Sequence, residues 1–400
     1  MRFFGFGRDD GSVGVRNHVV IMPTVYCANE AAKLIANRVE GVVALTHPFG
    51  CDDPGPEPYY QGQVINNLVG IGENPNVTGV LVLGLGCEVL QPEDLMEKLA
   101  GAKKPVESLV IQEAGGTLKT VKRGAEIVQK MVNEAKSFKR EAFDLSHLTV
   151  AVDCGGSDAT SGIAANPAVG KAIDMLINAG GTAIFTEPGE MIGAEHILAC
   201  RAVNDEVKKR IFQIVANEEK RWKSVDIEPT WMSPGNVEGG LTTIEEKSLG
   251  AIQKGGTTSI QGVLENSLLK LEKPTGNGLY LQDGTGADVH GVTHMVAAGA
   301  QVVIFTTGKG STIGFAVSPV IKVTGNPKTY AKMEDDMDIN AGTIITGEES
   351  ITVVGERIFS KIASVASGEE SKSEALGYRD FEIYGPNPFI NKTLGIKEGL

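Results

Sequence analysis

The sequence lacks long apolar runs and blocks of basic residues. No stretch reaches the roughly 18 uncharged apolar residues that a membrane-spanning helix requires, and the N-terminal MRFFGFGRDDGS has no apolar signal-peptide core. Lys and Arg number 37 against 50 Asp and Glu, which gives a net charge of −13. Because binding to phosphates needs a concentrated basic face, this balance disfavours nucleic-acid binding. We therefore expect neither a membrane nor a nucleic-acid partner, and a cytoplasmic protein whose thiols stay reduced.

Local motifs for zinc ribbons and nucleotide-binding loops are also missing. No C-x₂-C pair occurs, and FTTGKGSTIG (305–314) has neither the G-x-x-x-x-G-K-[ST] nor the G-x-G-x-x-G spacing. Nucleotide binding is therefore a weak hypothesis. The hydroxyls and the ammonium of this stretch, which follow an apolar run, suit a small anion instead; they belong to Thr306, Thr307 and Lys309.

Alternating apolar and amphipathic segments are what the sequence does contain. Between residues 18 and 140, short runs such as VVIMPTV and VTGVLVLGLG alternate with longer helical patterns. This alternation predicts a parallel sheet covered on both faces. The charged stretch KSFKREAFDLSH (136–147) is the best candidate linker, and residues 226–262 look irregular. We expect an α/β fold with a Rossmann-like first domain (1–142) and a larger C-terminal α/β catalytic domain (147–395).

Four of the five cysteines directly follow apolar runs that predict buried strands. In open α/β sheets, ligands bind beyond the carboxyl ends of the strands, so thiols at these positions suggest a metal or a nucleophile. The alternative is a capped turn with buried thiols. His47, at the end of the predicted strand that precedes Cys51, is as a lone histidine more typical of a structural role. Cys200 lies within a helical pattern and is expected in the core.

Two further segments carry polar groups in patterns that packing does not explain. CGGSDATSG (154–162) places Ser157 and Asp158 beside glycines that would let a ligand approach the backbone. PGNVEGGLTTIEEKSLG (234–250) has no apolar period at its start and contains Asn236, Thr242, Thr243 and Lys247. A buried Lys247 could neutralise a carboxylate or act as a base. A helix cap at Thr242 or Thr243 with solvent-facing charges would look similar.

The motifs GRDDGSVGVRN, LTHPFGC, GLGCE, CGGSDATSGIAANP, PGNVEGGLTTIEEKSLG and MEDDMDIN occur in one order along nearly the whole chain. Together they resemble the altronate and galactarate dehydratase family. The resemblance implies a metal-dependent hydro-lyase that removes water from a sugar acid by β-elimination and gives a 2-keto-3-deoxy acid. It also implies a divalent metal, Fe²⁺ before others, with an iron–sulfur cluster as the alternative.

In single-chain members of that family, a small N-terminal domain precedes the segment that corresponds to the start of this chain. It therefore resembles the large subunit of the split forms, which implies a separate small subunit and an oligomer. These forms include sulfolactate sulfo-lyase, which releases sulfite and pyruvate, so this carbon–sulfur lyase is an alternative function. A third alternative is a non-catalytic subunit that binds a sugar acid or scaffolds the partner.

The resemblance also leads to a hypothesis for each site residue. Candidate acid and base groups are Glu113, His196 and Lys247. Candidate metal ligands are Cys51 and Cys87, with His47, Cys27 or Cys154 as further ligands. Candidate substrate-binding residues are Arg16, Asn17, Ser157, Asp158, Asn166, Asn236, Thr242, Thr243, Thr306, Thr307 and Lys309.

Overall fold

The computed structural model describes residues 1–51, 59–224, 226–266 and 270–384. The end of the second predicted domain, residues 385–395, therefore lies outside the described residues. The strands are β1 (Arg2–Gly7), β2 (Val13–Gly14), β3 (His18–Pro23), β4 (Val42–Ala44), β5 (Val77–Gly84), β6 (Val106–Val110), β7 (Glu141–Asp144), β8 (Thr149–Cys154), β9 (Thr182–Phe185), β10 (Ile260–Leu264), β11 (Gly278–Gln282), β12 (Val302–Thr306), β13 (Val320–Thr324) and β14 (Ile339–Asn340).

The helices begin and end as follows: α1 (Asn29–Ala36), α2 (Tyr59–Glu73), α3 (Pro92–Leu99), α4 (Ile111–Ala114), α5 (Thr117–Ala135), α6 (Asn166–Asn178), α7 (Glu195–Ala199), α8 (Asp205–Ser224), α9 (Pro234–Glu238), α10 (Ile244–Ala251), α11 (Asp288–Ala297), α12 (Pro327–Lys332), α13 (Ile351–Ala366) and α14 (Lys372–Ala375). Within the described part of the chain, no helix combines the length and the apolar character needed to cross a membrane.

A four-stranded sheet forms the N-terminal half and confirms the predicted α/β class. Its order is β4-β3-β5-β6, and all neighbouring strands run parallel. The central strand β5 is buried along its whole length, VTGVLVLG, because helices cover both faces. Residues of α1 and α5 pack on one face, and residues of α2 and α3 pack on the other.

A seven-stranded sheet forms the C-terminal half, in the order β10-β11-β9-β8-β12-β13-β14, and it is also parallel throughout. Helices α6 and α13 pack together over one face. On the other face α11 packs against α2 of the first half, so one apolar core contains residues of both sheets. This shared core fixes the two halves against each other.

The predicted linker contains a strand. Within residues 136–147, β7 pairs antiparallel with β1, which also pairs with β2 in a small third sheet. Phe143 of β7 lies against Phe3 of β1, with ring centroids 6.2 Å apart. The charged residues around Phe143 are why the segment resembled a linker, although its pairing with β1 makes it a strand.

Two further expectations are corrected by the structure. Residues 226–262 are not irregular throughout, because they contain the short helices α9 and α10 as well as the start of β10. Cys200 is exposed at the C-terminal end of α7 and is not a core residue, since that helix has only five residues and turns this position outward.

Candidate active site

Two neighbouring strands of the second sheet end side by side in polar residues. Strand β8 ends at Cys154, and β9 runs parallel beside it before the chain turns through Glu187 and Glu190. The carboxyl ends of parallel strands are where ligands bind in open α/β sheets. These three side chains therefore lie where the fold favours chemistry.

Cys154, Glu187 and Glu190 form a compact group, here called the Cys154 triad. The Cys154 Sγ lies 3.3 Å from Glu187 Oε2 and 2.7 Å from Glu190 Oε2. In the described part of the chain, this is the one group of three or more cysteine, histidine or acidic residues whose ligand atoms all lie within 4.8 Å of one another. By composition it is a candidate metal-binding triad.

Two buried lysines already neutralise the triad. Lys254 Nζ lies 3.0 Å from the Cys154 Sγ, 2.5 Å from Glu187 Oε2 and 3.3 Å from Glu190 Oε2. Lys247 Nζ lies 2.5 Å from the other oxygen of Glu190 and donates a hydrogen bond of 2.6 Å to the Ser157 hydroxyl. The Lys254 and Lys247 side chains are 1% and 4% exposed, so these ion pairs are shielded from water.

The pKa of Glu190 is lowered, whereas the pKa values of Glu187 and Cys154 are raised. Burial would raise the pKa of Glu190, but the ammonium groups of Lys247 and Lys254 outweigh it and lower this pKa to about 2. Burial and the negative charge of Glu190 raise the pKa of Glu187 to about 7. Burial and the two carboxylates also raise the pKa of the Cys154 thiol well above its usual value. Near neutral pH, Glu190 is ionised, the thiol keeps its proton, and Glu187 is poised to exchange one.

Asp153 extends this acidic group by one residue along β8. Its pKa lies well above the usual value because it is buried and because Glu187 stands beside it. Its Oδ1 accepts a hydrogen bond from the Cys154 backbone N–H, whereas its buried Oδ2 has no hydrogen-bond partner. A protonated carboxyl next to a poised carboxylate is a pattern typical of acid–base sites.

The turn that carries both glutamates is held in an unusual conformation. Glu187 has a φ of +75°, a left-handed conformation that non-glycine residues rarely adopt. Trp222 of α8 packs so closely on Gly189 that a Cβ added there would lie 2.8 Å from the Trp222 Cζ2. The Trp222 indole N–H donates a hydrogen bond to Glu218. Helix α8 therefore fixes the turn between the two carboxylates.

A divalent metal does not fit the Cys154 triad in this arrangement. A metal-bound cysteine is a thiolate, so a metal at this triad would have to displace the thiol proton that burial and the two carboxylates favour. The Lys254 ammonium contacts all three potential ligand atoms and already supplies the positive charge that a cation would bring. A metal at this triad would have to displace the Lys254 ammonium group.

Four of the residues proposed from the sequence belong to this cluster: Cys154, Ser157, Asn236 and Lys247. The Asn236 side-chain oxygen accepts the Ser157 backbone N–H at 2.9 Å, which links α9 to the loop after β8. The Thr307 hydroxyl donates to the Gly156 carbonyl of the same loop. Lys309 lies at the rim, where Nζ approaches Glu238 at 3.6 Å.

Other proposed substrate-binding residues make contacts within the chain. The Asn166 amide bridges the Thr306 hydroxyl and the Gly250 carbonyl. Asp158 accepts hydrogen bonds from the turn that follows it and from Asn326. Thr243 caps α10 by accepting from the Glu246 N–H, and Thr242 bonds to the Glu246 carboxylate. The capping alternative described for these threonines is therefore present.

Arg16 and Asn17 form their hydrogen bonds with residues outside the cluster around Cys154. The Arg16 guanidinium pairs with Glu374 and donates to the Val365 and Glu369 carbonyls. Asn17 accepts from Arg8 and donates to the Ala135 carbonyl. Glu113 and His196, on α4 and α7, are both exposed and belong to separate halves of the fold. The structure does not bring either of them to Lys247.

The remaining candidate metal ligands lie at the carboxyl edge of the first sheet. Cys27, Cys51 and Cys87 are exposed and follow β3, β4 and β5; Cys27 lies in a short 3-10 helix, Tyr26–Ala28. His47 is buried and contacts the Pro23 carbonyl through Nε2 at 2.7 Å, while its Nδ1 accepts the Phe49 N–H. Both ring nitrogens are therefore used in this arrangement. The PGPEP segment after Cys51 lies outside the described residues.

Sequence reasoning missed Glu187, Glu190 and Lys254. The two glutamates lie in the turn just after the apolar run TAIF, two and five residues beyond it, so the strand-end rule applied to the cysteines also covers them. Lys254 comes from a short 3-10 helix, Ile252–Gly255, in a stretch without any strand-end signal. The position of Lys254 at the site follows only from the tertiary contact between that helix and the sheet.

Both halves of the chain are similar to known proteins. A family model described as "D-galactarate dehydratase/Altronate hydrolase, second domain" matches residues 5–136, and one described as "D-galactarate/Altronate dehydratase, C-terminal" matches residues 145–388. Three curated relatives each align with 95% or 96% of the chain. The "(2R)-sulfolactate sulfo-lyase subunit beta" of Chromohalobacter salexigens is 37% identical, with 96% of its own length covered. The "Altronate dehydratase" of Bacillus subtilis is 34% identical and the "Galactarate dehydratase (L-threo-forming)" of Escherichia coli is 37% identical, each with 77% of its length covered.

Proposed function

Because this chain belongs to the D-galactarate/altronate dehydratase family, we propose that it is a lyase that eliminates water from a sugar acid such as altronate or galactarate. The product is a 2-keto-3-deoxy acid. The observation that carries the proposal is the buried cluster of two ammonium groups and two glutamates at the carboxyl edge of the second sheet. This cluster lies within the segment matched by the family's C-terminal model.

The cluster contains the groups that a β-elimination needs. A base must remove the weakly acidic proton next to the substrate carboxylate, and Glu187, whose pKa is about 7, can hold or release a proton near neutral pH. The developing enediolate is negative, so the nearby ammonium groups of Lys247 and Lys254 would stabilise it. Lys247, which carries a proton and contacts the Ser157 hydroxyl, is our candidate acid for the leaving hydroxide.

A second candidate function is the carbon–sulfur lyase. The relative named as a sulfo-lyase subunit is matched along 96% of its length, whereas the dehydratases extend well beyond this chain. Removal of sulfite from sulfolactate uses the same proton abstraction and differs in the leaving group. Because that relative is named as a subunit beta, we also propose a separate small subunit as the partner of this chain.

We also propose an iron cofactor, Fe²⁺ before other metals, and a cytoplasmic location. A metal ion supplies Lewis acidity that stabilises an enediolate. The reducing cytoplasm keeps thiols reduced, which suits a chain with five cysteines.

An anaerobic assay with the small partner and ferrous iron tests the function. Altronate, galactarate and sulfolactate would be supplied in turn, and both 2-keto acid and sulfite would be followed. Keto acid without sulfite from a sugar acid supports the hydro-lyase, whereas pyruvate with equal sulfite from sulfolactate identifies the sulfo-lyase.

Substitutions separate catalysis by this chain from a scaffold role. Glu187→Gln keeps the shape of the side chain but removes the carboxylate, so we expect a loss of at least a hundredfold in kcat. Glu113→Gln and His196→Ala, both at exposed positions, test the other two acid–base candidates from the sequence, and we expect turnover close to wild type in each. If Glu187→Gln leaves turnover intact in a folded complex, the base assignment is wrong; if variants at Lys247 and Lys254 are equally silent, a non-catalytic subunit is the better explanation.

A further inference from the structure

The amino edge of the first sheet carries two cations that hold one turn. This turn, residues 74–77, leads from α2 into β5. The Arg8 Nε donates a hydrogen bond of 2.8 Å to the Pro75 carbonyl, and the Lys104 Nζ donates to two other carbonyls of the turn at 3.0 and 2.8 Å. The backbone of the turn therefore fixes both cations at the edge opposite the carboxyl ends of the strands.

The Arg8 guanidinium is held in place yet keeps unused hydrogen-bond donors. Its Nη2 donates to the Arg16 carbonyl and to the Asn17 Oδ1, both at 2.8 Å, and its Cζ lies 5.8 and 5.4 Å from the ring centroids of Phe6 and Phe138. Within the described residues, its Nη1 is buried and has no hydrogen-bond partner. Because a buried donor without an acceptor is costly, an additional acceptor at Arg8 would be favourable.

A cavity of about 190 Å³ lies beside these two cations. Arg8 and Lys104 form part of its wall, and Met131 and Phe138 contribute apolar surface to it. Pockets for drug-sized ligands begin at about 300 Å³, so this cavity suits a ligand of only a few heavy atoms.

The acidic side chains at the cavity leave both cations without a carboxylate partner. The Asp10 Oδ1 accepts the Ser12 N–H at 2.9 Å and the Ser12 hydroxyl at 2.6 Å, so its own turn orients it. Asp9 and Glu134 also line the cavity, but both are exposed and therefore solvated. In the described part of the chain, the acceptors of the two cations are carbonyl and amide oxygens.

Burial makes the two positive charges costly at this place. Burial and the nearby charge of Arg8 lower the pKa of Lys104 to about 7, although the charge of Asp10 acts in the opposite direction. Burial also lowers the pKa of Arg8, to about 10. An anion beside both groups would offset the lost solvation, because a nearby opposite charge favours the protonated form of each.

We propose that this cavity binds a small oxyanion, a carboxylate or a phosphate, through Arg8 and Lys104. Guanidinium and ammonium groups are the side chains that recognise such anions. The apolar part of the wall would pack against the carbon chain of a carboxylate, which a phosphate lacks. The site is separate from the Cys154 triad, because it lies at the amino edge of the first sheet and the triad lies at the carboxyl edge of the second. It gives a role to the motif GRDDGSVGVRN (7–17), which the catalytic cluster does not use.

Isothermal titration calorimetry of the full chain tests this site with three probes: sodium acetate, sodium pyruvate and inorganic phosphate, at constant ionic strength. Lys104→Gln removes the charge but keeps an N–H donor for the turn, and Lys98→Gln, at an exposed position of α3, is its matched control. Ala102→Glu leaves both cations in place and adds a carboxylate to the wall of the cavity. Lys247→Gln tests whether the anion binds at the catalytic cluster instead.

We expect one anion per chain. Lys104→Gln and Ala102→Glu should each lower the affinity about tenfold or more, whereas Lys98→Gln and Lys247→Gln should leave it unchanged within about twofold. Tighter binding of phosphate than of the two carboxylates would identify an inorganic anion as the source, and the reverse order an organic acid.

Three results would overturn the proposal: no binding by the wild-type chain, wild-type affinity in both Lys104→Gln and Ala102→Glu, or a loss of affinity in Lys247→Gln alone. Far-ultraviolet circular dichroism checks that each variant is folded. If Lys104→Gln does not fold, Ala102→Glu still decides the question, because it retains both cations and their contacts with the turn.

Discussion

Lys254 is a fully buried cation whose removal leaves two carboxylates without their neutralising partner. Its ammonium group contacts both Glu187 and Glu190. Breaking a buried ion pair by removing one partner costs more than the pair contributes, because the remaining charge stays buried. We expect Lys254→Met to lower the free energy of unfolding by about 3–5 kcal/mol.

Urea denaturation at pH 7.5 measures this loss. Lys33→Met, which removes an exposed partner of Glu30, is the control and should change stability by less than about 1 kcal/mol. The double variant Lys254→Met/Glu187→Gln should recover part of the loss, since it removes one of the unpaired charges. Equal stability of Lys254→Met and wild type would show that the buried pairs are not as the structure has them.

Asp283 gives a pH-dependent prediction away from the cluster. Burial raises its pKa to about 6, against the opposing effect of Arg221. The folded state thus keeps a proton that the unfolded state releases near pH 4, so stability conferred by the protonated form falls as pH rises from about 4 to 6. Asp283→Asn cannot ionise, and at pH 7.5 it should be more stable than wild type by up to about 3 kcal/mol.

Urea titrations at pH 4.5 and pH 7.5 check the sign of this effect. The difference between Asp283→Asn and wild type should be small at the lower pH and grow at the higher one. An unchanged or reversed difference would contradict a raised pKa at Asp283.

At the scale of elements, α8 positions the turn that carries Glu187 and Glu190. Gly189 has no room for a Cβ beside Trp222, so Gly189→Ala must shift either the turn or the helix. We expect at least a tenfold loss of kcat with KM less affected, and a change in tryptophan emission, because Trp222 is one of only two tryptophans. Gly235→Ala on α9 is the matched control, since its Cβ would meet nothing within 4 Å. If both variants behave like wild type, the turn does not depend on this contact.

At the scale of the whole molecule, Asn76 joins the two sheets. Its amide donates to the Gln301 and Val317 carbonyls of the second half, and its oxygen accepts the Val15 N–H. Asn76 is fully buried, so Asn76→Ala leaves these groups unsatisfied.

We expect this substitution to cost on the order of 3 kcal/mol, and thermal unfolding is the measurement. Asn133→Ala, at an exposed position of α5, is its control. A loss no larger than that of the control would mean that Asn76 does not hold the halves together.

The sequence by itself determined the α/β class, the parallel order within βα units, and the strand-end positions of Cys27, Cys51, Cys87 and Cys154. These follow from local patterns, because a buried parallel strand is apolar along its length and the polar residue after it must lie at the sheet's carboxyl edge. The same rule applied to TAIF would have found Glu187 and Glu190.

Only the tertiary structure decided which polar groups meet. Lys254 and Lys247 contact Cys154 from elements about a hundred residues later in the chain. No local periodicity of the sequence predicts such a contact. Tertiary packing likewise turned Cys200 outward and made a strand of the charged segment 141–144, because Phe143 found an apolar partner in Phe3. Ion pairs and edge strands depend on groups that are distant in sequence. The local hydrophobic pattern therefore cannot predict them, and only the folded structure shows them.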